Sequence, residues 1–596
     1  MRCLTALPLL LVSSLAQTQA QTQAQTQAQT QALPSLPNFL VFLVDDMGYS
    51  DLGCYGSKNN SSPNIDQLAA EGLRFTQWMS AASVCTPSRA ALQTGRLARR
   101  FGMTANVLPW RLLITPSQST GLPASERTVA TELKELGYRT GMSGKWHLGV
   151  SNETTPWAHL PPRHGYDSWL GTSRAARRRP SSPCLLPTSL LRLTHLSPRP
   201  HPPRARTSPG IPFTNMHNCQ QGHETNYFCL MMGNTTVVRQ PFKAQNLTSE
   251  HTRHALDFLQ WSAEAAAPFF FIYNFMHVHT PLFASPPFAG ISKAGGKFGD
   301  NVQEMDDAVG QVLAKLDELG LANDTLVLLT SDNGPYAEEG WENVGRSIGL
   351  KGSKGQTWEG GIRMPGIARW PGRIAAGTTT DALAGTIDIF PTIMAAVGAQ
   401  PRTDRLYDGA DLAPVLFATD PAAAPSVHDF MWHYCGDNVT AARHVVKTTA
   451  ADGTVVGTVT LKLHFATQIW VSDERPTPLC VQCCPDGATS FNGTGGSLCD
   501  CKHLDHHDPP LIYSMDNDIG ETTPITPESF PGGAAAFDAE VAAVKAALAA
   551  HYNTVAPAPD QMKSLPKAKL EPCCAGGSFN KERCVCDDYV PGMAYP

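Results

Sequence analysis

The run Pro37–Gly48, PNFLVFLVDDMG, is apolar without alternation and ends in two acids. A half-buried strand would alternate, whereas a short, continuous, Val- and Phe-rich run fits a strand covered on both faces of a parallel sheet. Two other stretches repeat the arrangement. Thr325–Pro335, TLVLLTSDNGP, carries acid and amide at its C-terminal end, and Pro268–Pro281, PFFFIYNFMHVHTP, ends in histidines. Helix-like stretches lie between them, at Thr128–Gly137 and Val302–Gly320. Buried strands alternating with helices predict an α/β fold built on a large, mostly parallel sheet flanked by helices. Ligands of such folds bind beyond the carboxyl ends of the strands, where these polar residues fall.

From Val427 the texture changes to short segments such as MWHYCGD, LKLHFATQIW and PLIYSMD between Cys- and Gly-rich loops. This predicts a smaller, Cys-rich α+β region over 427–596, with an antiparallel sheet and one late helix in AEVAAVKAALAAHYNTV. The region 37–426 is then the catalytic domain. Ahead of it, residues 1–20 read as a secretory signal peptide: Met1-Arg2, an apolar run too short to span a bilayer, then small residues. Residues 21–36 continue a QTQA repeat with nothing to bury, and read as a disordered spacer. One segment breaks the pattern. Residues 172–210 hold eight Arg and eight Pro without any Asp, Glu or Lys, and read as a disordered insert or retained intron sequence.

The signal peptide points to the secretory pathway, with the extracellular space or a lysosomal or vacuolar lumen as destination. Sixteen cysteines fit that oxidising route, and the clustered ones are read as disulfides in preference to zinc ligands. Eight Asn-x-Ser/Thr sequons are compatible with glycosylation. A formal net charge of −6 gives no reason for a nucleic-acid partner. Past the leader, no run has the roughly 20 apolar residues of a membrane helix, so stable membrane insertion is not expected.

Asp45 and Asp46 end one predicted strand; Asp332 and Asn333 end another. Three carboxylates and an amide carbonyl form an all-oxygen set, suited to Ca²⁺ or Mg²⁺ and not to zinc. Taken singly, each acid is more often a helix cap or a solvated turn residue than a ligand. Lys145 and His147 in MSGKWHLG, Lys354 in GLKGSKGQTWEGG, and His277 and His279 after the third strand complete the polar rim. Such lysines and histidines matter only where they offset the charge of an anion. Cys85 opens CTPSRAALQTGR just ahead of a helix-like stretch, and admits four readings: disulfide half, buried hydrophobe, metal ligand or nucleophile.

Together these stretches resemble the sulfatase family. Cys85-Thr86-Pro87-Ser88-Arg89, continuing as AALQTGR, is similar to the signature C-x-P-S-R-x-x-x-x-T-G-R, whose cysteine the secretory pathway oxidises to formylglycine. VDDMGYSDLGCYG, GKWHLG, HVHTP, TSDNGP and KGQTWEGGIRMPG follow in the family's order, from about Asn38 to the C-terminus. HDFMWHYCGD and DHHDPPLIYSMDND resemble the steryl-sulfatase and arylsulfatase branch. Its membrane-embedded hairpin is replaced here by a short polar interval, Ile211–Phe228. The segment IPFTNMHNC also resembles arylsulfatase A, with Thr214 at a substrate-site serine position.

The resemblance implies an alkaline-phosphatase-like sandwich that hydrolyses sulfate monoesters of a small molecule or glycan. It implies Ca²⁺, with Mg²⁺ as second choice, held by Asp45, Asp46, Asp332, Asn333 and the modified Cys85. A formylglycine-generating enzyme would act during maturation. The formylglycine hydrate would attack sulfur, with Asp332 helping to take its proton. Lys354 would offset sulfuryl charge, His279 would protonate the leaving oxygen, and His147 would take the proton that releases sulfate. Arg89 and Lys145 would orient the hydrate; Lys145, His279, Lys354 and Thr214 would contact substrate. Two other readings stand beside this one: a phosphate or phosphonate ester hydrolase on the same scaffold, and an inactive binding protein.

Overall fold

A computed structural model of the chain describes residues 36–104, 114, 118–172, 231–239, 243–280, 282–336, 345–449, 455–468, 501 and 504–564. The suspected insert beyond Thr172, the Thr214 segment, the N-terminal leader and repeat, and most clustered cysteines lie outside these residues.

The predicted buried strands form as read. β1 (Asn38–Val44) lies in an eleven-stranded mixed sheet with β2 (Leu73–Met79), β3 (Arg139–Gly144), β4 (Ser168–Gly171), β5 (Met231–Gly233), β6 (Thr236–Arg239), β7 (Phe269–Asn274), β8 (Thr325–Ser331), β9 (Arg363–Arg369), β10 (Thr378–Thr380) and β11 (Ala384–Gly385). The order is β10-β2-β9-β8-β1-β7-β3-β4-β5-β6, with β11 on β2. The centre, β8-β1-β7-β3-β4, is all parallel. Antiparallel pairs flank it, β8/β9/β2 on one side and β4/β5/β6 on the other.

Successive side chains of a strand point to opposite faces, and β1 shows why its sequence does not alternate. Phe39, Val41 and Leu43 enter a core with α2 (Cys85–Thr94), α3 (Val129–Glu135) and α6 (Ile389–Ala396). Leu40, Phe42 and Val44 enter another with α1 (Pro63–Ala70), α4 (Leu247–Glu264) and α5 (Gly296–Glu318). Both faces are buried, so both are apolar. The predicted helix starting at Val302 begins earlier, at Gly296. α3 starts after Thr128, whose hydroxyl accepts from Thr131 N at 3.1 Å as an N-cap.

The second sheet is an antiparallel meander of β12 (Phe430–Cys435), β13 (Asn438–Thr449), β14 (Val455–Thr467) and β15 (Asp505–Ser514). Helix α7 (Gly533–Thr554) packs Phe537, Val541 and Val544 on its Ala442, Leu463 and Ile512. Cys435 and Cys501 form a disulfide, as the cysteine clustering led us to expect for that region. Among the described residues no helix is long and apolar enough to cross a membrane.

Candidate active site

Strand register creates the site. Val44 lies opposite Ser331, Leu43 opposite Asn274, and Asn274 opposite Gly144. The residues that follow β1, β8 and β3 therefore emerge level: Asp45-Asp46, Asp332-Asn333 and Lys145. Gly144 has φ +93°, and a Cβ there would stand 1.8 Å from Asn274 O, so only glycine lets β3 turn Lys145 inward. Cys85 is the first residue of α2, not a residue ahead of it, and all ten residues of that helix are buried. Pro87 is tolerated in its first turn, and Gly95, at φ 66°, caps its end. Arg89 follows Cys85 by four positions and shares its helix face.

These side chains converge. Lys145 Nζ donates to both oxygens of Asp45 at 2.6 Å. Arg89 Nε donates to Asp332 Oδ2 at 2.8 Å, and its Nη1 to Lys145 O at 3.3 Å. Lys354 donates to Asp46 Oδ1, which also accepts from Asn333 Nδ2 at 2.7 Å. His279 Nε2 lies 3.4 Å from Asp46 Oδ2. His147 Nδ1 lies 3.3 Å from the hydroxyl of Thr86, next to Cys85. Cys85 is a buried free thiol. Asp46 and His147 both take left-handed backbone, φ 62° and 61°. Such conformations cost on the order of 1–3 kcal/mol and concentrate where function over-determines the backbone.

The donor set fits a hard cation. Ligand atoms of Asp45, Cys85 and Asp332 lie within 4.8 Å of one another, as do those of Asp45, Asp46 and His279. Asp46 Oδ2 and Asn333 Oδ1 are buried and accept no hydrogen bond among the described residues. Buried acceptors are normally satisfied; here a cation would satisfy both. Burial pushes the Asp332 carboxyl above its ordinary range, Asp45 and Asp46 add to this, and Arg89 and Lys145 oppose it. A positive ion among these acids would favour the ionised forms. Burial disfavours the Arg89 guanidinium, but Asp332 and Asp45 outweigh it and hold the group charged.

The structure thus brings together Asp45, Asp46, Cys85, Arg89, Lys145, His147, His279, Asp332, Asn333 and Lys354; Thr214 lies outside the described residues. Sequence reasoning did not single out several residues around them. Asn274 Nδ2 donates to Lys145 O at 2.9 Å. The Tyr336 ring lies 6.4 Å from that of His279 and 5.4 Å from Lys354 Nζ. Gln468, from the second sheet, reaches the Lys354 loop. Only Tyr336 had a signal, its place just after SDNGP.

Comparison with known proteins gives the geometry a context. The Sulfatase family matches residues 37–399, and the C-terminal region of aryl-sulfatase matches 426–586. Steryl-sulfatase of Rattus norvegicus is 38% identical over 554 residues, covering 88% of this chain and 90% of that protein. Arylsulfatase A of Homo sapiens is 37% identical over 486 residues, covering 81% and 82%. The crystal structure of the PsFucS1 sulfatase from Pseudoalteromonas sp. superposes with a TM-score of 0.64 at 25% identity, covering 89% and 91%.

Proposed function

Since the chain belongs to the sulfatase family and is a sulfate-ester hydrolase, we propose that it works through a formylglycine made from Cys85 beside a Ca²⁺ ion. The family generally uses a formylglycine and a divalent metal, and an acidic cluster suited to a metal lies in this site. The observation that carries the reading is the placement of Cys85 at a buried helix start, its sulfur within 4.8 Å of Asp45 and Asp332 oxygens.

In this reading Asp45, Asp46, Asp332, Asn333 and residue 85 hold Ca²⁺, which supplies positive charge against the sulfuryl oxygens. The formylglycine, as its hydrate, supplies one hydroxyl to attack sulfur and a second whose deprotonation frees sulfate. The chain's own residues do the rest. Arg89 spans Asp332 and Asp45 and so keeps the two strand ends at a fixed distance from residue 85. Lys145, locked on Asp45, and Lys354, on Asp46, place two ammonium groups where charge on a transferring sulfuryl group needs offsetting. His279, beside Asp46, carries the proton for the leaving oxygen. His147, beside Thr86, takes the proton that releases sulfate. Both are general acid–base roles in which geometry comes first.

The substrate is a sulfated small molecule or glycan, and the maturation partner a formylglycine-generating enzyme. The Cys435–Cys501 bridge supports a route through the secretory pathway, to the extracellular space or a lysosomal or vacuolar lumen. Parallel assays on nitrophenyl sulfate and nitrophenyl phosphate test the reaction. Sulfate hydrolysis should dominate and vanish in Cys85→Ala; activity retained by that variant would refute the role given to position 85.

A further inference from the structure

The loop carrying Lys354 is held from two sides. Within the large-sheet region, Lys354 N donates to Pro335 O at 2.9 Å and Gly355 N to Ser83 O at 2.7 Å. The loop is thereby strung between the β8 end, which bears Asp332, and the segment leading into Cys85. The other support comes from the second sheet. Gln468 directly follows β14 and is 1% exposed. Its Nε2 donates to Gly355 O at 3.1 Å, and its Oε1 accepts from Thr357 N at 3.4 Å. Its own carbonyl accepts from Trp358 Nε1 at 3.1 Å. Gln468 is itself braced, because Nε2 also lies 3.0 Å from Sγ of Cys435, half of the disulfide.

The loop's own bonds are short-range: Ser353 N donates to Gln356 Oε1 at 3.0 Å and Gln356 N to Ser353 O at 3.0 Å. Gly352 and Gly355 sit at φ +87° and +90°, conformations that glycine allows at a cost in chain entropy. Gly355 is the shared residue: its N–H donates to Ser83 O and its carbonyl accepts from Gln468. Catalytic groups need positioning to within about 0.5 Å, and packed, hydrogen-bonded neighbours provide it.

We propose that Gln468 is a positioning residue for sulfate-ester hydrolysis: by fixing the Gly355 carbonyl it sets the Lys354 ammonium, making the segment that follows β14 a working part of the catalytic centre. This rests on the role given to Lys354 above.

The test is a double-mutant cycle in the whole two-sheet enzyme, with nitrophenyl sulfate as probe and a thermal melt for each variant. Gln468→Met keeps the length and removes the donor. Gln468→Glu keeps the acceptor for Thr357 and removes the donor to Gly355, and serves if the Met variant does not fold. In the otherwise wild-type enzyme either substitution should lower kcat about tenfold, the scale of one lost hydrogen bond, with KM within about twofold. In a Lys354→Ala background the same change should cost less than about threefold, because its target is gone. Lys354→Arg replaces that background if activity falls below detection. An unchanged kcat in Gln468→Met or Gln468→Glu overturns the proposal, as does an equal tenfold loss in both backgrounds. If Lys354→Ala alone leaves kcat intact, the role of Lys354 fails and the inference falls with it; the single and double variants tell the two failures apart.

Discussion

Arg89 joins two strand ends: its Nη2 lies 2.7 Å from Asp332 Oδ2 and 3.3 Å from Asp45 Oδ1. A lysine at this position is shorter and lacks the planar fork, so it loses the Nε bond to Asp332 and the Nη1 bond to Lys145 O. Arg89→Lys should lower kcat/KM by at least about 100-fold, the scale of a lost transition-state contact. Steady-state kinetics on nitrophenyl sulfate check this; near-normal activity would show that the bridge is dispensable.

Removal of the cation has its own signature. With Asp45, Asp46 and Asp332 gathered at the strand ends, and Asp46 Oδ2 and Asn333 Oδ1 without a hydrogen bond among the described residues, bound Ca²⁺ should stabilise the native state by mass action. Dialysis against a chelator should lower both Tm and activity. Ca²⁺ should restore them at lower concentration than Mg²⁺, which prefers a tighter, more hydrated octahedral site. Equal restoration by Mg²⁺ would remove the preference for Ca²⁺, and indifference to chelation would remove the metal site.

A buried ionic network ties the two sheets together. Glu359 pairs with Arg363 at 2.6 Å, with Lys462 at 2.8 Å and with Arg443, and Lys462 also meets Glu521 at 2.8 Å. Burial penalises the Glu359 charge, but Arg443, Lys462 and Arg363 hold the carboxyl well below its ordinary 4.5. Glu359→Gln leaves those cations underpaired and should cost about 3–5 kcal/mol, measured by denaturant unfolding. A folded pKa below the unfolded one stabilises above the unfolded value and loses that contribution as pH falls toward the folded value. The gap between wild type and variant should be flat above about pH 5 and shrink below pH 4.5. A gap that widens on acidification would contradict the assignment.

His428 works with the opposite sign. Burial disfavours its imidazolium, but Asp388, 2.8 Å away, outweighs burial and raises the pKa above 6.5. Stability from this pair is complete below the unfolded value and is lost as pH rises through the folded one. His428→Asn should therefore be most destabilising below pH 6.5 and approach wild type in mild alkali. A pH-independent difference in Tm would show that the histidine acts by packing alone.

Much of this was legible in the sequence because it follows from local chemistry. β1, β7 and β8 announce themselves by apolar runs without alternation, and their polar termini fall at the carboxyl edge, as α/β folds require. What stayed hidden is tertiary. Lys462 and His464 alternate with Leu461 and Leu463 and by pattern belong to a solvated face, yet all are buried because β14 is covered on both sides. Gln468 carries no motif, and its partner Gly355 is 113 residues away. The full burial of α2 was equally hidden, since Arg89 and Gln93 give it a polar look that only Asp332 and Tyr166, partners from elsewhere in the chain, explain.

In the mechanism proposed above, position 85 works as an aldehyde hydrate and not as a thiol. Mass spectrometry of the Cys85 peptide, from enzyme fractions of graded specific activity, tests it most directly. The formylglycine fraction should rise in proportion to activity. A peptide carrying only the unmodified thiol in fully active enzyme would contradict it.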